Sequence, residues 1–225
     1  LAIHLNLIAN TTAVIYYDPL TDPYTTMGNW NNQLQATLTA NIGEANYDIG
    51  HMFGASGGGG NAGCIGCVCV NPTSTVPLGK GSGYTSPANG VPSGDAFDID
   101  YVAHEIGHQF GGPHTFSSND DTTGNCDSGN VSNANAVEPG SGSTIMAYAG
   151  ICEENVQSNS DPYFHAASIA RMNTVMIGTG NCAPQAPNGN NPPVIAALSN
   201  YTIPRGTAFM LTGSATDSNA GASLT

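Results

Sequence analysis

Positive charge is what this sequence has least of. Across 225 residues only Lys80, Arg171 and Arg205 are basic, against 16 acids, for a formal net charge of −13. A chain so acidic repels phosphate, so nucleic-acid binding and attraction to anionic membrane surfaces are both excluded as expectations. Long apolar runs are also missing: none approaches the roughly 20 residues that cross a bilayer as a helix. No signal peptide begins at Leu1, and the chain reads as a mature or trimmed product. The six cysteines lack the paired CxxC…CxxC spacing of a structural metal knot. An even number of them instead suggests up to three disulfides and an oxidising, extracellular compartment. Sequence does not choose among their fifteen pairings. Cys67 and Cys69 are too close to bond each other without strain, so each pairs elsewhere or one stays free. Internal repeats are absent as well.

Apolar residues make up 40 % of the chain, enough for a core, and 29 glycines with 14 prolines predict a loop-rich molecule. "LAIHLNLIAN" alternates, with Leu1, Ile3, Leu5 and Leu7 on one face, and reads as a strand; "AVIYY" reads as a second extended piece. Trp30, Leu34, Leu38 and Ile42 recur every four residues before Gly43, which predicts a helix over 30–42. "YDIGHMF" (47–53) is a further expected strand, with His51 structural within it. "DIDYVAHEIGHQFGG" turns helical, with Asp98 or Asp100 as cap and Gly111–Gly112 as the end. "SDPYFHAASIARMNTVMIG" predicts a helix capped by Asp161, with Pro162 in its first turn, His165, Ile169, Met172 and Met176 as the inward stripe, and Gly178 as the stop. Residues 183–193 have linker composition, and 194–225 read as the opening strands of an incomplete β-sandwich-like domain, with Phe209 and Leu211 alternating.

The chemistry is concentrated in "HEIGHQFGGPH", residues 104–114. Residues four apart share a helix face, so His104 and His108 turn their imidazoles toward one point, at the distance a zinc ion requires. Glu105 is rotated off that point, where it holds a water rather than the ion. Gly111 suits a sharp exit from the helix, and that turn brings His114 back as a third ligand. Three protein ligands leave an open position, which is the arrangement of a catalytic site rather than a closed structural one. The ligand set predicts a zinc-activated water that attacks a peptide carbonyl, with Glu105 as general base. The bland alternative is a helix end with incidental histidines; the added Gly111 and His114 make coincidence a poor account.

HExxHxxGxxH resembles the signature of the metzincin clan of zinc endopeptidases, whose members also carry a methionine-bearing turn beneath the metal. "GSTIMAYAG" supplies such a turn, and the resemblance implies a structural role for Met146. Around both motifs the chain is most similar to the reprolysin (adamalysin) family in a secreted bacterial form. Two features depart from that family. Thr115–Phe116 stands where adamalysins carry aspartate after the third histidine, which is similar to the pappalysins. Tyr148 stands where they carry proline, as in astacins, serralysins and pappalysins, and that likeness implies a place near the zinc or on the tetrahedral intermediate; a tyrosine merely buried beneath the site is the alternative.

The resemblance implies an α+β, metzincin-like zincin fold: a twisted, mostly parallel sheet with the active-site helix, over an irregular lower subdomain with the methionine turn. Metzincins begin with a strand and a long helix that are not represented ahead of "AIHLNLIAN", so these are expected to be missing. An inhibitory propeptide is expected in the precursor. The edge around residues 59–70 should form the upper rim, against which a polypeptide substrate extends. The expected division is a catalytic domain over 1–182, a linker over 183–193 and the partial β-module over 194–225. Asp120, Asp121, Asp127 and Glu138 stand in the polar loop 115–142, an oxygen-rich composition that suits Ca²⁺ as a second cofactor beside Zn²⁺. Cys126 and Cys152 flank the methionine turn, and a bond between them is the pairing this reading favours. Its rivals are an adhesion module with purely structural zinc, and a zinc hydrolase acting on something other than peptides.

Overall fold

A computed structural model of the chain describes residues 3–87, 90–119, 124–127, 129–219 and 221. The chain divides into a larger unit that runs through Ala183 and a smaller one from Pro184 onward. Helix α1, Trp30–Asn41, forms as its spacing predicts, with Trp30, Leu34, Leu38 and Ile42 all buried. Three short strands follow: β1 (His51–Phe53), β2 (Gly59–Asn61) and β3 (Gly83–Ser86). Their order is β1–β3–β2, with β1 parallel and β2 antiparallel to β3. The sheet is therefore mixed, not mostly parallel. The glycine-rich segment after β1 turns back on itself before β3, and so lays β2 along the edge in the opposite sense.

A continuous helical run then crosses the unit. It comprises α2 (Asp95–Phe97), a π-helical stretch (Asp98–Ala103) and α3 (His104–Gln109). The run begins earlier than expected, with Gly94 at its N-cap, so neither Asp98 nor Asp100 caps it. The last helix, α4, spans Ala166–Ile177 and stops at Gly178. Its cap is His165, whose Nδ1 accepts from the Ala167 N–H at 3.1 Å. Asp161 and Pro162 stay outside, because Asp161 N–H and Tyr163 C=O instead bond Ser143 and Ile145 of the neighbouring loop. Of the expected stripe only Met172 is fully buried, and Ile169 faces solvent.

Among the described residues the N-terminal strand does not form. Among residues 3–7 no ladder is present, and Leu5 and Leu7 are exposed. Alternation marks a strand only where one face is buried against a partner. Here Ile3 and Ile8 touch two different clusters instead. The "AVIYY" region is taken over by a 3₁₀ turn, Thr11–Val14, started by the Thr11 hydroxyl bonding to Ile8 C=O at 2.7 Å. Residues 47–50 stay outside β1, since Asp48 and Gly50 bond Cys69 and Lys80 rather than a continuous neighbour.

One core cluster lies between the helical run and α4: Val68, Phe110, Ile145, Met146 and Met172. A second joins α1 to Tyr47. The third, Phe116 with Cys126, Ala147 and Cys152, lies under the loop that follows His114. Disulfides link Cys64–Cys67, Cys69–Cys182 and Cys126–Cys152. All six cysteines are bonded, Cys67 and Cys69 to separate partners. No helix among the described residues is long and apolar enough to cross a membrane. Among the described residues of the smaller unit a single antiparallel ladder forms, β4 (Val194–Ile195) with β5 (Ala215–Thr216), while Phe209 and Leu211 are exposed.

Candidate metal centre and cleft

His104 and His108 project from one face of α3 as the i, i+4 spacing requires, and both are buried. Gly111, at φ +102°, turns the chain out of the helix in a conformation that a side chain rarely adopts, and His114 returns to the pair. The His114 Nε2 lies 3.2 Å from that of His104 and 3.0 Å from that of His108. Each Nδ1 faces a backbone carbonyl: Ile145 at 2.6 Å for His104, Gly112 at 2.6 Å for His108, and Asn130 at 2.7 Å for His114. A carbonyl only accepts, so each Nδ1 carries the proton and each Nε2 presents a lone pair. Burial first, then the neighbouring imidazoles, pushes His104 down to about 3 and His108 well below its usual range; burial also lowers His114. Three neutral lone pairs converging at contact distance repel one another unless a cation lies between them. Tetrahedral ligands about 2.1 Å from zinc stand roughly 3.4 Å apart, so the donor set fits that ion.

Glu105 is buried beside the triad. Burial raises its carboxyl to about 8, against a hydrogen bond from the Ala62 backbone. Its side chain packs against β2 at Gly60. A Cβ built on Gly60 would come within 2.6 Å of Oε1, so the carboxylate occupies the space that any larger residue there would fill.

Met146 is fully buried beneath α3 in the first core cluster, and the adjacent Ile145 supplies the carbonyl that orients His104. Tyr148 stacks on Phe116 at 4.6 Å, with its ring 4.5 Å from that of His114 and 5.6 Å from that of His104. Burial, and then the charge of Glu105, pushes its phenol up to about 12. A cleft of about 570 Å³ opens over these groups, with Gly57–Gly60 on one side and Ala147–Ile151 on the other.

His51 is not part of the centre. Its Nδ1–H donates to Gln109 Oε1 at 2.8 Å, and the Thr85 hydroxyl donates to its Nε2 at 2.7 Å. His165 caps α4, as described.

The calcium reading finds no support in Glu138. Its carboxylate accepts from the hydroxyls of Thr115 and Thr144 and from the N–H groups of Ser143 and Thr144. Burial alone would raise its pKa, but these four donors outweigh it and hold the carboxyl below its ordinary value. Glu138 thus bolts the residue after His114 to the residues before Met146. This also accounts for Thr115, whose hydroxyl is one of the donors. Asp127 bonds the Gly129 N–H, and Asp120 and Asp121 lie outside the described residues. Among the described residues the one other grouping with metal-ligand spacing is Asp48, Cys69 and Cys182, and its cysteines are joined as a disulfide.

The backbone carbonyls that orient the imidazoles escaped the sequence, and so did Asp100. The Asn130 carbonyl is a backbone group in an aperiodic loop and leaves no compositional trace. Asp100 looks like a helix cap in sequence, yet it lines the cleft.

Two buried imidazoles and a half-buried third around a cation-sized gap, with a carboxylate alongside and a cleft above, are an arrangement that suits a metallopeptidase. A family model described as "Metallo-peptidase family M12B Reprolysin-like" matches residues 1–181, and the chain belongs to that family. No curated protein and no solved structure matches the chain.

Proposed function

We propose that the chain is a secreted zinc-dependent endopeptidase that hydrolyses peptide bonds with Glu105 as general base. The observation that carries the reading is the convergence of three Nε2 lone pairs, each fixed by a carbonyl on its Nδ1, beside a buried carboxyl at the floor of a cleft. Zn²⁺ held by His104, His108 and His114 supplies a Lewis acid that polarises a carbonyl and brings the pKa of water towards 7. A zinc cation beside it would hold Glu105 ionised against the upward push of burial, and the carboxylate takes the proton from the attacking water and returns it to the nitrogen of the leaving amine. Tyr148 keeps its phenolic proton at neutral pH and donates it as a hydrogen bond to the oxygen that gains charge. The outer edge of β2, built of glycines, takes an extended polypeptide as an added strand. Met146 is the packing floor and not a ligand.

Three disulfides fit an extracellular life, and family membership supports polypeptide substrates; an inhibitory propeptide in the precursor is part of the same reading. In this reading residues 1–182 are the catalytic portion, 183–193 a linker and 194–225 the start of a separate β-module.

Cleavage of casein by the zinc-loaded chain and by Glu105→Ala, with zinc content measured for both, tests the proposal. Expected is a rate loss of about a hundredfold or more with equal zinc in the two proteins. Retained cleavage in Glu105→Ala would remove the general-base assignment. No cleavage by the wild type would remove the peptidase.

A further inference from the structure

Among the described residues two carboxylates line the cleft, Glu105 and Asp100, and the chemistry above uses only the first. Asp100 lies four residues before His104 in the π-helical stretch. The wider π turn takes roughly one more residue than an α turn, which keeps Asp100 near the cleft-facing side of the helix. Its side chain is held at both oxygens. The Ser160 N–H donates to Oδ1 at 2.7 Å, and the Asn159 amide, turned so that its nitrogen faces the carboxylate, donates to Oδ2 at 3.0 Å. A carboxylate offers about four acceptor positions, so two remain for a visitor.

The larger unit's own cations are engaged elsewhere. Lys80 is buried against Glu44 and the Tyr47 ring, and Arg171 bonds Asn135. Among the described residues, no lysine or arginine forms an ion pair with Asp100. Beside it the wall carries Tyr101 and Ile151, surfaces that suit the methylene stem of a long cationic side chain.

The geometry points to Asp100 as a specificity-determining residue: the cleft takes a lysine or arginine side chain of the substrate near the scissile bond, its stem along Tyr101 and Ile151 and its cation on the Asp100 carboxylate. This rests on the peptidase reading. The oriented, half-buried carboxylate forms a charge-assisted pair with a cation that a neutral side chain of equal length does not replace.

The test compares peptides that differ only in lysine against norleucine, stepped through each position around a cleaved bond, with casein as the general substrate. At one position the zinc-loaded wild type should prefer lysine by about tenfold or more in kcat/KM. Asp100→Asn keeps an acceptor for the Ser160 N–H and removes the charge. It should bring the ratio to within about threefold of unity while casein is still cut, and Asp100→Glu should keep the preference. A wild type with no basic preference, or a preference that survives Asp100→Asn, overturns the inference and leaves the peptidase standing. A wild type that cuts nothing overturns the peptidase instead, and binding of the same peptide pairs to Glu105→Ala then decides. Tighter lysine binding that vanishes in Glu105→Ala/Asp100→Asn upholds the cation site, and equal binding of the pair overturns it.

Discussion

His51 shows how one residue can be half-buried and polar without belonging to the chemistry. Both ring nitrogens are satisfied, by Gln109 and Thr85, and the Gln109 amide is fixed in turn by donating to Gly50 C=O at 3.0 Å. Burial drives its pKa down to about 4 against the weaker upward pull of Gln109. The unfolded chain accepts this proton near pH 6.5, while the folded chain does so only near pH 4. The stabilisation is therefore complete above about 6.5 and declines as pH falls through that interval, by about 3 kcal/mol in all. Urea unfolding of wild type and His51→Gln at several pH values should show a steeper loss of stability for the wild type between those limits. Parallel curves would mean that the imidazole is protonated as readily inside as outside. The sequence already suggested a structural His51, because it falls inside an apolar strand pattern. It gave no hint of Gln109, which meets His51 only after the sheet and the helical run are brought together.

The strand β2 is three residues long and owes its place to what it lacks. Glu105 lies so close beneath Gly60 that a methyl there would collide with the carboxylate's Cγ and Oε1. Gly60→Ala should lower kcat/KM by about a hundredfold, the usual consequence of displacing a reacting group by about 1 Å, with zinc content and thermal stability near those of the wild type. An unaltered rate would show that Glu105 works from another rotamer. At this scale the helices were the most legible features, since α1 and the end of α3 follow directly from periodicity and glycine. Strands were the least legible. The alternation in residues 3–7 is real, but a strand is a relation between two segments, and no neighbour in the described residues supplies the second. The same limit applies at α4, where Asp161 has the chemistry of a cap but its backbone is already committed to Ser143.

Across the whole molecule, Cys69–Cys182 closes a span of 113 residues and ties the end of α4 to the sheet side of the unit. Chain-entropy reasoning assigns a loop of that size about 4–5 kcal/mol. Cys69→Ser/Cys182→Ser should unfold at correspondingly lower urea while still binding zinc under native conditions. Loss of zinc without denaturant would show that the bridge shapes the centre rather than restraining the unfolded chain. The histidine motif was fully legible because it is local, eleven consecutive residues. The three carbonyls that hold the imidazoles were not, since Gly112, Asn130 and Ile145 come from the helix exit, the polar loop and the methionine turn. That dispersal has a temporal consequence. Until all three segments have arrived, at least one imidazole is free to rotate or to carry its proton on the wrong nitrogen, and the cation meets only two aligned donors. On the proposed zinc-binding reading, metal affinity therefore follows the docking of all three segments, and a half-finished molecule is a disarmed one.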